Sequence, residues 1–335
     1  GLERAVGGEF ARAVEALNAH AAPVLALDIP TGIHGDSGAV LGTAVRADLT
    51  VTFVGLKAGL FLGEAPDYCG EVCFAGLDIP ASYGAGIAPA LRRVDDAMVA
   101  AALPRRRRTG HKGDYGHVLI IGGGEGMPGA VRLAGEAALR AGAGLVSIAT
   151  HPSHAAMLVA SRPELMPHGV ATAAGLESLL ERADVVAFGP GLGRSDWAQA
   201  LFGSVATLSL PAVWDADALN LLAERPAAME QRVITPHPGE AARLLGTTAA
   251  SVQADRPAAL DALAQRFGGT VVLKGAGSLV SADPVPYLCM AGNPGMGSAG
   301  TGDVLTGVIA SIVAQCYRRP LSAGARTVTS ERRGG

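Results

Sequence analysis

Five glycines and one acid crowd the segment Gly295-Met296-Gly297-Ser298-Ala299-Gly300-Thr301-Gly302-Asp303-Val304-Leu305-Thr306-Gly307. The residues that follow settle half of its meaning. Val304, Leu305, Val308, Ile309, Ile312 and Val313 recur as pairs four residues apart, which predicts a helix with that apolar stripe turned inward. Asp303 then stands at or beside the helix N-terminus, where backbone N–H groups are unpaired and the dipole favours anions. Glycines there let a ligand approach the backbone closely. Two uses compete: Asp303 is a helix cap in a tight glycine turn, or a base beside an anion hole for a phosphate. The segment alone leaves both open.

A second signal lies in lysine usage. Of 27 basic residues only three are lysine, namely Lys57, Lys112 and Lys274. Arginine supplies the general surface charge, as in Arg105-Arg106-Arg107-Arg108, which reads as a solvated link. Lysine's compact ammonium does different work from the planar guanidinium, so each retained lysine marks a candidate site.

These residues need a scaffold to position them. From about residue 110, short apolar runs alternate with helical patterns: HVLIIGG (117–123), GLVSIAT (144–150), DVVAFGPG (184–191), PAVWDAD (211–217), RVITPHP (232–238) and TVVLKG (270–275). Helices are expected over 130–141, 176–182 and 257–267. That alternation predicts a mostly parallel sheet covered by helices on both faces, with ligands beyond the carboxyl ends of the strands. An earlier region carries its own strands in VLALDIPTG (24–32) and DLTVTFVG (48–55), followed by a turn-rich stretch to Pro80. If the PAVWDAD strand continues, Asp215 and Asp217 share a face.

Gly124-Glu125-Gly126-Met127-Pro128-Gly129 satisfies GxGxxG between a strand and a helix, but a dinucleotide fold also needs a ribose-binding acid about 20 residues on. No acid occurs from Ala137 to Pro163. Hydride transfer on a classical dinucleotide fold is therefore disfavoured.

Bulk properties exclude other classes. A chain of 335 residues with 49% hydrophobic content supports two domains or one large α/β domain. Its net charge of −3 offers no electrostatic case for nucleic acid. No apolar run reaches the ~18 residues of a membrane span, and no signal-peptide pattern opens the sequence. Cys69, Cys73, Cys289 and Cys316 form neither a disulfide framework nor a CxxC pair. A cytoplasmic protein, independent of membranes, is the expectation.

Taken in order, His111-Lys112-Gly113-Asp114-Tyr115-Gly116, Met127-Pro128-Gly129-Ala130, Gly189-Pro190-Gly191-Leu192-Gly193, Asp215-Ala216-Asp217-Ala218-Leu219-Asn220, Thr235-Pro236-His237-Pro238-Gly239-Glu240, Lys274-Gly275-Ala276-Gly277-Ser278 and Gly300-Thr301-Gly302-Asp303 resemble the NAD(P)H-hydrate dehydratase family. The resemblance spans about 95–315. It implies a ribokinase-like three-layer α/β/α domain over 111–315, behind a link at 89–110 and ahead of an atypical tail at 316–335. Residues 1–88 resemble the later half of an NAD(P)H-hydrate epimerase domain, a partial Rossmann-like α/β domain.

The resemblance implies dehydration of (S)-NAD(P)H hydrate with ADP (or ATP) as phosphoryl donor and Mg2+ as the metal. Asp303 would take the proton of the ring hydroxyl. The amides of Gly300 to Gly302 would hold the phosphoryl group. Lys274, Gly275, Ala276, Gly277, Ser278 and Gly302 match nucleotide contacts, and Ala130, Gly193 and His237 match substrate contacts. Glu240 opens a helix or binds magnesium indirectly. In the first region Asp28 matches the epimerase's substrate-binding acid and Thr31 a K+ ligand, while Lys57 lies in the TVTF–K–G segment. The epimerase's upstream loop has no counterpart in the sequence. Epimerase activity is therefore expected to be absent or impaired, with Asp28 a solvated acid of ordinary pKa beside only two strands. Small-molecule partners and a homo-oligomer are expected. Two other readings stay open: a ribokinase-like kinase acting on a small alcohol, and a nucleotide-binding remnant without turnover.

Overall fold

The computed structural model describes residues 4–317 apart from 85 and 104, with only the backbone of Ala81 and Ser161. The expected tail lies outside the described residues beyond Tyr317. Two compact units interleave along the sequence: Gly1–Arg105 with Leu222–Gly297, and Arg106–Leu221 with Ser298–Gly335.

The first unit opens with the helix Gly8–Ala19 and strands β1 (Leu25–Leu27), β2 (Leu49–Phe53) and β3 (Glu71–Ala75), which form a parallel sheet in that order. The third strand corrects the expectation of two. Its side chains are exposed or half-buried on both faces, so it carries no apolar alternation for a sequence pattern to show. Ile33, Ala44, Leu60, Ala65 and Cys69 form a small core here, and burial pushes the Cys69 thiol up to about 11. Leu25 and Leu27 remain 56% and 66% exposed, so this sheet leaves apolar surface uncovered. The stretch expected to be a polar link carries structure of its own: β4 (Arg92–Arg93) and the helix Asp96–Ala102, whose cap Asp95 accepts from the Met98 amide.

In the second unit, β5 (His117–Ile121), β6 (Leu145–Thr150), β7 (Met166–Gly169), β8 (Val185–Phe188) and β9 (Ala212–Trp214) run parallel in the order β9-β8-β5-β6-β7. Every residue of β5, β8 and β9 is buried, which explains their unbroken apolar runs. The helix Pro128–Ala141 follows β5. Of the other expected helices, 257–267 forms as Arg256–Phe267, in the first unit, whereas 176–182 shrinks to Glu177–Leu180 behind a 3-10 turn. Arg106 is more than solvated charge. Its guanidinium stacks 3.9 Å from the centre of the Tyr115 ring and donates to the Gly142 carbonyl and to Gln315 Oε1.

The helix Thr301–Cys316 forms as expected but buries a different face. Thr306, Gly307, Ala310, Ser311 and Ala314 are buried, while Val304 is 39% exposed and the rest of the anticipated apolar stripe is only half-buried. The cause is close approach to Pro128–Ala141: a Cβ on Gly307 would overlap the Ala134 carbonyl. Small residues permit that approach, and a large apolar side chain would prevent it.

The remaining strands of the first unit are β10 (Arg232–Ile234), β11 (Thr270–Leu273), β12 (Ser278–Val280) and β13 (Tyr287–Cys289), ordered β10-β11-β12-β13-β4. The pairings β11–β12 and β12–β13 are antiparallel. Sequence periodicity missed β12 and β13 because three-residue strands are too short to show it. Their presence makes 274–277 the connection of a β-hairpin. Among the described residues no helix is long and apolar enough to cross a membrane.

Candidate active site

Asp303 occupies the third position of the helix Thr301–Cys316 and is half-buried. Gly300 is the helix cap, in a left-handed conformation at φ 88°. Gly300 has no side chain to cap the helix, and the amides of a helix start suit an anion. Thr301 Oγ1 donates to the Ser298 carbonyl at 2.8 Å, which fixes the approach of the chain. One turn further on, Thr306 Oγ1 donates at 2.7 Å to Asp215 Oδ2, just beyond the carboxyl end of β9. Asp215 is 2% exposed. A hydrogen bond so deeply buried ties the helix to the sheet.

Asp215 and Asp217 do not share a strand face as anticipated. The strand ends at Trp214, and Ala216, at φ 50°, is one of the few non-glycine residues in the left-handed region. This kink sends the two acids to different partners. Asp217 Oδ2 accepts from the Gly193 amide at 2.8 Å and its Oδ1 from Asn220 Nδ2 at 3.1 Å. The loop Gly189–Gly193 is also joined to the glycine-rich turn after β5, since the Gly123 and Gly124 amides donate to the Pro190 and Gly191 carbonyls at 2.9 and 2.7 Å. Gly191 lies against Ala130 on the first turn of Pro128–Ala141. The fold thus brings Ala130 and Gly193 into one loop cluster.

In the other unit, His237 caps the helix Pro238–Leu245 rather than lying loose between prolines. Its Nδ1 accepts from the Gly239 and Glu240 amides at 3.0 and 3.4 Å, and Glu240 Oε2 accepts from the His237 amide at 2.8 Å. Glu240, 5% exposed, lies with Oε2 3.6 Å from Lys274 Nζ, so one carboxylate serves both the histidine cap and the lysine. Lys274 Nζ therefore stands at a carboxylate at the end of β11. Gly275, Ala276 and Gly277 turn the chain into β12, where Ser278 Oγ donates back to the Gly275 carbonyl at 3.0 Å. Beneath the turn lies Arg256, 1% exposed, which donates to the Leu273, Lys274 and Gly277 carbonyls.

Asp28 departs from expectation. It sits just past β1 at φ 69° and is ion-paired with Lys57. Its Oδ1 also accepts from the Phe53 amide at 3.1 Å and Thr52 Oγ1 at 3.2 Å. Lys57 Nζ donates in turn to Thr52 Oγ1 and to the Phe53 carbonyl at 3.2 and 2.8 Å. The hydrogen bond from Lys57 holds the Asp28 carboxyl below the ordinary range, against some burial. The solvated acid of ordinary pKa is thus corrected: two residues 29 apart converge at the carboxyl ends of neighbouring parallel strands. Thr31 lines a cleft of about 740 Å³ with Val6, Gly7, Phe10, Ile29 and Ile33.

Sequence reading passed over Arg256 and Thr306. Each follows or precedes better signals, and neither residue type reveals its partner without the fold. An arginine at a helix start is disfavoured by the dipole, but nothing local shows that it is buried.

The sequence model described as NAD(P)H-hydrate dehydratase matches residues 118–333, and the one described as YjeF-related protein N-terminus matches residues 1–59. The bifunctional NAD(P)H-hydrate repair enzyme of Coxiella burnetii is 49% identical over 316 residues, covering 94% of this chain and 65% of that protein. Its Escherichia coli K12 counterpart is 46% identical, covering 94% and 61%. The chain thus spans just under two thirds of the length of these relatives. Among solved structures, the ADP/ATP-dependent NAD(P)H-hydrate dehydratase of Bacillus subtilis, co-crystallised with ATP/Mg2+, superposes with a TM-score of 0.62 at 31% identity, covering 69% of this chain and 84% of that one. A ribokinase-like superfamily protein of Enterococcus faecalis V583 gives 0.63 at 30% identity, covering 68% and 81%. The fold is ribokinase-like.

Proposed function

The chain belongs to the NAD(P)H-hydrate dehydratase family, and from that premise we propose that it converts (S)-NAD(P)H hydrate to NAD(P)H using ADP, with AMP and phosphate as the other products. Hydroxide is a poor leaving group. Phosphorylating the ring hydroxyl turns it into phosphate, which leaves readily, and the sum of the two steps balances. Phosphoryl transfer asks the protein for positioning and charge stabilisation more than for covalent chemistry.

The observation that carries this reading is Asp303 on the first turn of a glycine-started helix, held by the Thr306–Asp215 bond one turn below. Asp303 would accept the hydroxyl proton while the amides of Gly300 to Gly302 face the transferring phosphoryl group. Ala130 and Gly193, joined through the Gly189–Gly193 loop, and His237 would meet the hydrate. Lys274, Gly275, Ala276, Gly277 and Ser278, with Gly302, would meet the nucleotide. ATP is the alternative donor. The described residues hold no cluster of three or more His, Cys, Asp or Glu, so Mg2+ would enter on the nucleotide phosphates with few protein ligands, as this ion commonly does.

The test is incubation with (S)-hydrate and ADP, following the return of reduced-nicotinamide absorbance and of free phosphate. Asp303→Asn should lower kcat by ~10²–10⁴ while ADP still binds, since a lost general base costs about that much. Near-normal turnover in the variant would sink the assignment. Accumulation of a stable phosphoester would instead identify a small-alcohol kinase, and ADP binding without any turnover a remnant.

For the first region, the proposal is that these residues by themselves epimerise the hydrate slowly or not at all. An Asp28 side chain 44% exposed does not enclose a ring that must lose and regain a group on opposite faces. Thr31 lies at the wall of its cleft, where its hydroxyl would meet K+. Conversion of pure R epimer to S above the spontaneous rate, with K+ present, would refute this. A homo-oligomer and a cytoplasmic setting complete the proposal.

A further inference from the structure

We infer that Arg256 is a positioning residue for the Lys274–Ser278 turn, orienting its peptides and lending it positive charge, and that it thereby sets the affinity for a nucleoside diphosphate. The inference rests on the reading of that turn as the nucleotide site.

Arg256 opens the helix Arg256–Phe267 behind the cap Asp255, whose side chain accepts from the Ala258 amide at 3.0 Å. A helix start already carries partial positive charge, so a cation there is opposed by the dipole. It is also 1% exposed. Its Nη1 donates to Gln253 Oε1 at 2.8 Å and to the Lys274 carbonyl at 3.3 Å. Its Nη2 donates to the carbonyls of Leu273 at 3.2 Å and Gly277 at 3.1 Å. Nε is buried without a partner among the described residues. Every partner it has is a neutral dipole; no carboxylate pairs with it among the described residues. Burial accordingly draws its pKa down.

Stability does not account for such a group. A buried, charge-unpaired guanidinium is expensive, and an apolar side chain of similar size would pack the same space more favourably. The arrangement makes sense if an anion completes it. The fork draws three carbonyls of one turn toward itself. In a trans peptide the N–H points opposite to the C=O, so the Gly275 amide, which follows the Lys274 carbonyl, faces away from the guanidinium. A turn thus oriented presents an amide outward over a buried full charge, an arrangement suited to a phosphate. Gly275 fits the same design. At φ 147°, a Cβ would stand 2.7 Å from Arg256 Nη1 and 3.1 Å from Cζ, so the guanidinium occupies the space a side chain would need. Lysine could not replace it, having no planar fork to reach several carbonyls at once.

The test uses the full chain with Arg256→Lys and Arg256→Ala. ADP affinity is read by calorimetry, and amide hydrogen exchange at 274–278 is read without nucleotide. The expected result is a loss of ADP affinity of about 10- to 100-fold in Arg256→Ala, the scale seen when a partner that orients a metal-binding side chain is removed. Arg256→Lys should fall between, because charge survives but the fork does not. Exchange in the turn should quicken in both. The KM for ADP should rise far more than that for the hydrate. Millimolar guanidinium should restore part of the ADP binding to Arg256→Ala, which a general packing defect would not allow. Should the alanine variant fail to fold, the lysine variant carries the comparison. ADP binding within twofold of the parent in a folded variant, with unchanged exchange, overturns the inference and leaves the nucleotide reading standing. Quickened exchange with unchanged ADP binding overturns both, since the turn would then be held by Arg256 but would not meet the nucleotide.

Discussion

Replacing Gly307 by alanine should damage both stability and rate, and the two can be estimated separately. The close contact is with backbone: a Cβ at 307 would lie 2.8 Å from the Ala134 carbonyl carbon and 3.1 Å from its Cα, closer still to the oxygen. Unstrained carbon pairs sit ~3.5–4.0 Å apart, so the helices must separate by roughly 1 Å. Helix propensity favours alanine over glycine by about 1 kcal/mol. Overpacking typically costs about 1–3 kcal/mol, and here no flexible side chain can give way, so the upper end applies. The clash should win, with a net loss of about 2 kcal/mol in urea unfolding. The same displacement acts one turn below Asp303 and strains the 2.7 Å Thr306–Asp215 bond. A misplacement of about 1 Å can cost on the order of 10²-fold in rate, so kcat for the hydrate should fall by that order. Gly203→Ala is the internal control, since nothing lies within 4 Å of its Cβ position in Asp196–Val205. It should be neutral or stabilising by up to about 1 kcal/mol. If Gly307→Ala is as stable as Gly203→Ala and turns over within twofold of the parent, the helices do not approach this closely and the reasoning fails.

Lys57→Met should raise the Asp28 pKa measured by carboxyl NMR titration. Because the folded value is depressed, the pair stabilises above the ordinary carboxylate range of about 3.9 and that contribution is lost as pH falls through the folded value. The parent's advantage in urea unfolding should therefore be present at pH 7 and disappear in acid; an advantage equal at both would exclude the ion pair. With iodoacetamide at pH 8, exposed Cys73 should alkylate readily, whereas buried Cys69, at about 11, should stay unlabelled until denaturant is added. Lys274→Ala should weaken ADP binding in calorimetry with the circular dichroism spectrum retained. An unchanged affinity would make the turn structural.

Sequence alone determined what local chemistry can report. Glycine before Asp303, with an apolar repeat behind it, required a helix starting there, and the alternation of β5, β6, β8 and β9 with helices required a parallel sheet. The same periodicity misjudged which side of Thr301–Cys316 is inward. Depth of burial there depends on how near Pro128–Ala141 comes, and that distance is absent from any local pattern. Small side chains at Gly307 and Ala310 hold it, because only they allow two backbones into contact. Asp28 and Lys57 were both visible as candidates, yet their ion pair depends on β1 and β2 lying side by side, a non-local pairing. Arg256 was silent in the sequence for the same reason. A helix-opening arginine looks like surface charge until β11 and the 274–277 turn fold over it and leave its guanidinium three carbonyls to hold.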